Sequence, residues 1–181
     1  MVLLKRIACI STFVIHYSKY KNWISTIDGK RCNECKKNHG KIYLIEEVIN
    51  PKPPLHPRCR CKIKRLSAFY AGDATNNKNN GADWWLKYYG KLPEYYITSK
   101  EASELGWEHG KKLSSFVSER MLTMGEYGNY NGHLPDEVGR IWYEADINYQ
   151  SGKRNSCRIV WSNDGLIFVT FDHYETFCEI I

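Results

Sequence analysis

The chain has 181 residues, of which 43% are hydrophobic, 25% charged and 14% aromatic; this is the composition of a folded globular protein too short for three full domains. No run approaches the roughly eighteen consecutive apolar residues that a membrane-spanning helix needs, and six prolines exclude a proline-rich disordered chain. The net charge of +6 conceals a split: residues 1–68 carry fifteen Lys and Arg against four Asp and Glu, whereas residues 69–181 carry eleven against sixteen. Two parts with different work follow from that asymmetry.

In chain order, Met1 to Ile15 has Lys5 and Arg6 ahead of the apolar stretch Ile7 to Ile15. That is the outline of a short secretory signal, but Ser11 and Thr12 interrupt it and no small-x-small cleavage motif follows. An amphipathic first segment, or the remnant of a longer chain, is the preferred reading. Of seven cysteines, Cys32, Cys35, Cys59 and Cys61 crowd into thirty residues while Cys9, Cys157 and Cys178 stand alone. An odd count argues against a disulfide scaffold. The pattern Cys32-x2-Cys35, twenty residues, then His56-x2-Cys59-x-Cys61 offers five candidates for the four ligands of a tetrahedral metal. Pro51, Pro53, Pro54 and Pro57 stiffen the returning loop, and the apolar stretch Lys41 to Ile49 between the pairs suggests a small β-containing zinc ribbon or knuckle. Two disulfides in a secreted chain, or free thiols, are the alternatives. The +11 charge around the cluster suits contact with nucleic acid or an anionic surface.

Ser67 to Gly81, rich in Asn, Gly and small residues, reads as a linker. It divides the chain into a basic Cys/His-rich module at 1–66, a linker at 67–80 and a second domain at 81–181. There, Ala82 to Tyr89 is expected to be a short aromatic helix stopped by Gly90, and Thr98 with Glu101 forms a T-x-x-E capping box opening a helix that runs to Leu105, before Gly106. After a Gly-rich stretch, alternation puts Ile141, Tyr143, Ala145, Ile147 and Tyr149 on one face of a half-buried strand, and Trp142, Glu144, Asp146 and Asn148 on the other. Strands Arg158 to Ser162 and Leu166 to Phe171 are joined through Asp164-Gly165, read as a two-residue type I′ turn. A last strand, Glu175 to Ile180, closes the sheet. The expected class is α+β, N-terminal helices packed on a C-terminal antiparallel sheet, preceded by the zinc-ribbon-like module.

The two-residue turn would place Arg158 opposite Phe171, with His173 diagonally beside it. Glu144, Asp146, Arg154, Arg158 and His173 would then share one side of the sheet; a solvated face with ordinary ion pairs is the alternative. The residues Lys91-Leu-Pro-Glu-Tyr-Tyr-Ile-Thr98, Glu101-Ala102, Leu105-Gly-Trp107, Leu134-Pro135, Gly139-Arg140, Trp142, Glu144-Ala-Asp-Ile-Asn-Tyr149, Ser151-Gly152, Arg154-Asn-Ser156, Arg158-Ile159, Asp172-His-Tyr174 and Thr176-Phe177 carry a resemblance. From residue 81 to 181 the chain resembles the barnase-like bacterial ribonucleases, of the microbial ribonuclease family.

The resemblance implies the microbial ribonuclease fold and an endoribonuclease that cleaves single-stranded RNA through a 2′,3′-cyclic phosphate, with no cofactor for catalysis. It implies Glu144 as general base, His173 as general acid, and Arg154 and Arg158 as phosphate ligands. Tyr174 would lie against phosphate or ribose, or simply pack on the sheet. Asp146 is expected to hold Arg158 by an ion pair, and Arg140 with Asp164 to form a stability pair. Tyr127, Gly128, Asn129 and Asn131 fall in the guanine-recognition loop. Three departures matter. Lys100 stands one residue after the family's phosphate-binding lysine, about 100° around a helix, and either reaches phosphate or faces solvent. Asn131 replaces a glutamate, so guanine preference is expected but weakened by about 1–3 kcal/mol, and the chain is one residue shorter just before this loop. The domain's net −5 predicts weak salt dependence of cleavage for that domain alone.

Trp23-x2-Thr26-x-Asp28-Gly-x2-Cys32-x2-Cys35 and Pro53-Pro-Leu-His-Pro57-x-Cys-Arg-Cys61 resemble the C-terminal part of phage minor head, or head-morphogenesis, proteins across residues 23–61. Together the resemblances imply a ribonuclease toxin or effector carried on a phage-derived delivery module. Its partners would be single-stranded RNA, delivery components and a barstar-like inhibitor less acidic than the family's own. Secretion or delivery outside the producing cell is expected, with the cytoplasm or a phage particle as the alternative. The competing function is a phage-derived structural or nucleic-acid-binding protein whose ribonuclease fold is inactive.

Overall fold

The computed structural model describes residues 16–181, so the reading of Met1 to Ile15 lies outside the described residues. Nine strands form one mixed sheet: β1 (His16–Ile24), β2 (Ile42–Leu44), β3 (Lys62–Phe69), β4 (Tyr96–Thr98), β5 (Met121–Glu126), β6 (Trp142–Asp146), β7 (Arg158–Ser162), β8 (Ile167–Thr170) and β9 (Cys178–Ile180). Their order is β2-β1-β3-β9-β8-β7-β6-β5-β4. Three short helices accompany them, α1 (Asn33–Asn38), α2 (Ala82–Tyr89) and α3 (Ser99–Glu104).

Local chemistry sets the helix ends. Gly90 stops α2 with φ +68°, a conformation that only glycine adopts without strain. Thr98 and Glu101 satisfy each other's backbone amides in the capping box that opens α3, an arrangement worth about 1 kcal/mol.

The hairpin departs from expectation by one residue. Arg158 pairs with Thr170 and Ile159 with Val169. Ser162 closes the loop by accepting from Gly165 N–H at 3.2 Å and donating its own N–H to Leu166 O at 2.9 Å. A type I′ turn needs positive φ at both central residues, and here only Gly165 has it, at +92°. The loop is therefore three residues long, and Thr170, not Phe171, shares the face of Arg158. The sheet is also not purely antiparallel: β3 pairs parallel with β9, and β4 parallel with β5.

The segment read as a linker is packed structure. Ser67, Ala68 and Phe69 belong to β3, and Asp83, fully buried, accepts from Gly72 N–H, Ala74 N–H and the Thr75 hydroxyl at 2.6–2.9 Å. Asn76 N–H donates to the Asn148 side chain at 2.8 Å. Small and Asn-rich residues here serve tight turns around one buried carboxylate rather than a spacer.

Both faces of the sheet are buried. One packs Ala145, Ile147, Ile159, Ile167 and Val169 against Ala82 and Leu86 of α2, with Phe69, Ala71 and Ala74 from the supposed linker. The other packs Trp142, Val160 and Phe168 against Leu134 and Phe177 from loops and against Tyr20, Ile42 and Leu66 of the first three strands. The Trp142, Glu144, Asp146 side of β6, for which a solvated face was the alternative reading, is thus largely covered: Trp142 is 4% exposed and Asp146 0%.

Candidate active site and metal centre

Direct cross-strand partners define one row across the sheet: Glu144 opposite Val160, Val160 opposite Phe168, Phe168 opposite Glu179, and Glu179 opposite Ala68 of β3. The next row of the same face carries Asp146, Arg158 and Thr170. Since directly opposed residues share a face, Glu144, Asp146 and Arg158 look out on the same side.

Asp146 organises the cluster. Arg154 clamps it with Nε 2.8 Å from Oδ2 and Nη2 2.7 Å from Oδ1, the bidentate geometry that suits a planar guanidinium. Arg158 Nε lies 3.1 Å from Oδ1, but its N–H is not aimed at that oxygen, so the contact is Coulombic. Arg158 is anchored instead through Nη1, which donates to Asn155 O at 2.7 Å and Cys157 O at 2.8 Å. Among the described residues, Arg154 Nη1 and Arg158 Nη2 have no hydrogen-bond acceptor, which leaves two guanidinium edges for an incoming anion. The expected hold of Asp146 on Arg158 is present, and its grip on Arg154 is tighter. Arg140 and Asp164 pair at 2.7 Å at the strand ends, away from this cluster.

Glu144 accepts a 2.5 Å hydrogen bond from the Tyr174 hydroxyl. Tyr174 stacks on Tyr127, with centroids 5.1 Å apart and planes at 22°. Burial, reinforced by the charge of Glu144, pushes Tyr127 up to about 12, and burial followed by the Glu144 hydrogen bond raises Tyr174. Both phenols are therefore protonated donors near neutrality. His173 is exposed, and its ring centroid is 4.9 Å from that of Tyr174. The turn bearing it is strained, with φ +57° at His173 and +70° at Tyr174, where non-glycine residues are uncommon. Thr170 and Asp172 hold it: the Thr170 hydroxyl oxygen accepts Tyr174 N–H at 3.0 Å, and Asp172 accepts Thr176 N–H at 2.9 Å. His173 N–H donates to Ser156 O at 3.1 Å.

Lys100 is exposed in the first turn of α3. Thr98 pairs with Thr123, whose hydroxyl donates to Glu144 O at 2.9 Å, so α3 begins two strands from Glu144. Lys100 makes no hydrogen bond or ion pair with the cluster among the described residues.

In the loop at 127–134 the Asn129 side chain bonds Leu134 in both directions, at 2.9 and 3.1 Å. A Cβ on Gly128 would lie 2.2 Å from the ring of the exposed Tyr130, so a side chain there requires that ring to swing away. Asn131 Oδ1 accepts His133 N–H at 3.2 Å, so its carbonyl is engaged by its own loop. His133 was not singled out by sequence reasoning. Its Nδ1 lies 3.1 Å from both Asn131 Nδ2 and Tyr174 O, and its carbonyl accepts Ile42 N–H at 2.9 Å. One residue, by its side chain and its backbone carbonyl, thus joins the 127–134 loop, the His173 turn and β2. No periodicity marks it, since two of its three partners, Tyr174 and Ile42, lie far away in sequence.

The five Cys and His candidates converge on the other face. Cys32 Sγ and Cys35 Sγ lie 3.2 and 3.4 Å from His56 Nε2, and Cys35 Sγ lies 3.7 Å from Cys59 Sγ. Cys35, Cys59 and Cys61 form a second group whose sulfurs are within 4.8 Å. A tetrahedral zinc with bonds of about 2.0–2.3 Å has ligand-to-ligand edges of roughly 3.5–3.8 Å; the 3.7 Å spacing falls in that range and the two to His56 lie a little below it, whereas a disulfide needs about 2.05 Å. The cluster packs on Trp23 and Ile63, and Asp28 is held by Arg60 at 2.6 Å.

The region matched by known proteins spans β4 to β9. A family model described as ribonuclease matches residues 79–181. A ribonuclease of Heyndrickxia coagulans is 44% identical over 108 residues, spanning 59% of this chain and 99% of the relative. Ribonucleases of Bacillus intermedius and Bacillus pumilus are each 44% identical over 108 residues, spanning 59% of this chain and 67% of theirs. More than half of the sequence falls within the matched region, and the chain belongs to the ribonuclease family.

Proposed function

We propose that the protein cleaves single-stranded RNA by metal-independent transphosphorylation on the Glu144–Asp146–Arg158 face. The observation that carries this reading is the 2.5 Å bond from Tyr174 to Glu144 beside two guanidiniums fixed on Asp146. A carboxylate, two oriented cations and a histidine are thereby brought to one surface. Glu144 takes the proton of a ribose 2′-hydroxyl, the 2′-oxygen attacks phosphorus, and the 5′-oxygen leaves with a proton from His173. A 2′,3′-cyclic phosphate results. In the hydrolytic step the roles reverse: His173 takes a proton from water and Glu144 returns one to the 2′-oxygen. Arg154 Nη1 and Arg158 Nη2 meet the charge that builds on the phosphoryl oxygens. Tyr174 keeps Glu144 aimed, and Lys100, at the opening of α3, adds positive charge on the approach.

The base pocket of this reading is Tyr127 to Asn131. Gly128 and Asn129 present amides, but Asn131 Oδ1 already takes an amide of its own loop, so guanine is preferred only weakly. Cleavage of GpN over ApN dinucleotides should show a modest excess; a ratio of one removes guanine specificity.

The knot in this reading holds a structural zinc through four of Cys32, Cys35, His56, Cys59 and Cys61. The contact of His56 Nδ1 with Pro57 O at 2.9 Å puts the ring proton on Nδ1 and leaves Nε2 free to ligate. Carriage on a phage-derived delivery module, and a barstar-like inhibitor in the producing cell, complete the proposal of a toxin or effector.

The test is cleavage of a fluorescent single-stranded RNA by the wild type, Glu144→Ala and His173→Ala, each with and without EDTA. Each substitution should cost about 10²- to 10⁴-fold, and wild-type cleavage should survive EDTA while the melting temperature falls. No cleavage by folded wild type would move the function to nucleic-acid binding without catalysis.

A further inference from the structure

The charges of the catalytic cluster are engaged with one another, since both Arg154 and Arg158 sit on Asp146. Residues 69–181, which include that cluster, carry eleven Lys and Arg against sixteen Asp and Glu, a poor attractor for a polyanion. Residues 16–66 carry thirteen against four.

Part of that excess sits at the catalytic end of the same sheet face. Moving along the strands from the row of Glu144 to the row of Asp146, Arg158 and Thr170, β3 advances from Ala68 to Leu66, and then to Lys64 and Lys62. Leu66 is buried with Val160 and Phe168, which fixes the face; Lys64 and Lys62 are exposed, paired across to Asn22 and Ile24 of β1. Three interstrand spacings separate β3 from β7, about 14 Å, within reach of nucleotides next to the scissile phosphate. Residues 39–42 bring one more cation, Lys41, to the same border. A Cβ on Gly40 would lie 2.7 Å from Glu175 O and 3.0 Å from the His133 ring, so the chain here abuts both the turn that follows His173 and the base loop. Lys41 acts electrostatically on His133, and Arg31 on His39, which also feels Glu175, His133 and Asp172. Among the described residues, Arg31, Lys41, Lys62 and Lys64 form no ion pair.

We propose that Arg31, Lys41, Lys62 and Lys64 form a basic rim that binds phosphates of the RNA substrate outside the scissile dinucleotide. The inference rests on the ribonuclease reading and extends it: the N-terminal module is a substrate-binding arm of the enzyme, recognising single-stranded RNA by its backbone and so without base preference. RNA is favoured over an acidic protein or an anionic lipid surface because the rim borders the two loops that flank the catalytic cluster. A polyanion lying on that cluster reaches the rim without leaving the sheet face.

The test uses the full chain and the triple variant Lys41→Ala, Lys62→Ala, Lys64→Ala, with the three Lys→Arg substitutions as control. Steady-state cleavage of a 20-nucleotide RNA is compared with that of a dinucleoside phosphate. Binding of a 2′-O-methyl oligonucleotide, which cannot be cleaved, is followed against salt. The alanine variant should lose on the order of tenfold in the ratio of kcat/KM for the long over the short substrate, chiefly in KM. Its log-log salt slope should be shallower by about 2, at roughly 0.7 for each phosphate that is no longer neutralised, and the arginine control should keep both. An unchanged ratio and slope overturn the rim. So does an equal loss on both substrates, or a loss of binding to phosphatidylserine vesicles with RNA binding intact. A wild type that cleaves neither substrate yet binds the oligonucleotide with the steep slope defeats the ribonuclease reading and leaves the rim standing.

Discussion

The two ends of the sheet handle charge in opposite ways. Around β6 and β7, Asp146 is wholly buried and shared by two guanidiniums; on β3, Lys62 and Lys64 stand in solvent with no ion pair among the described residues. The first arrangement fixes geometry and leaves little net charge, and the second supplies charge with little geometry. Catalysis at phosphorus needs oriented cations, whereas capture of a polymer needs only their number. Mutations at the two ends should therefore have unequal effects.

The largest is at Asp146. Asp146→Ala leaves Arg158 buried without its counter-ion and frees Arg154, and should destabilise the fold by about 3–5 kcal/mol, as does breaking one side of a buried pair. Lys62→Ala and Lys64→Ala should stay within about 0.5 kcal/mol of wild type. Urea denaturation of the three variants measures both. A loss below about 1 kcal/mol at Asp146, the range of an exposed pair, would show that the two ends do not differ in kind.

A smaller effect tests whether the ends are one folding unit. Ser18 of β1 donates to the buried Glu179 of β9 at 2.5 Å. Ser18→Ala strands that carboxylate at about 1–3 kcal/mol. Tyr20, Ile42 and Leu66 share a core with Phe168 and Trp142, so a single unfolding transition should shift as a whole, whether read by tryptophan fluorescence or by cleavage activity. Two separate transitions, with only one displaced, would make the N-terminal module an independent body.

The elements whose cause is local were legible in the sequence. The helix Ala82–Tyr89, stopped at Gly90, and the capping box at Thr98 need only neighbours within four residues. The alternation around Glu144 placed that residue and Asp146 on one face. What was missed depends on distant partners. The parallel pairing of Ala68 with Glu179 joins residues more than a hundred apart, and the chain around it reads as a linker because its turns are organised by Asp83 from outside the segment. The register slip at Asp164-Gly165 came from assigning positive φ to two residues where the sheet takes it at one. His133 stayed invisible because two of its attachments, to Tyr174 and Ile42, come from segments distant in sequence.

The smallest effect concerns the seam between the two ends. His39 is 4% exposed and its Nδ1 accepts Ser25 N–H at 2.9 Å, which forces the ring proton onto Nε2, a buried atom with no acceptor. Protonating Nδ1 would set two N–H groups against each other. Burial, aided by Arg31, accordingly holds this imidazole below its ordinary 6.5, although Glu175 and Asp172 pull the other way. The unfolded chain then binds the proton more tightly than the folded one, so stability is present in full above pH 6.5 and falls as pH drops from there through the lowered value. Asp28 and Asp164, each held near 2 by an arginine, titrate only in stronger acid and do not blur that window. An NMR titration of the His39 ring should therefore give a midpoint below 6.5, with urea stability declining over the same range. A midpoint above 6.5 would mean that the acidic groups of the ribonuclease side, not burial in the module, govern the seam.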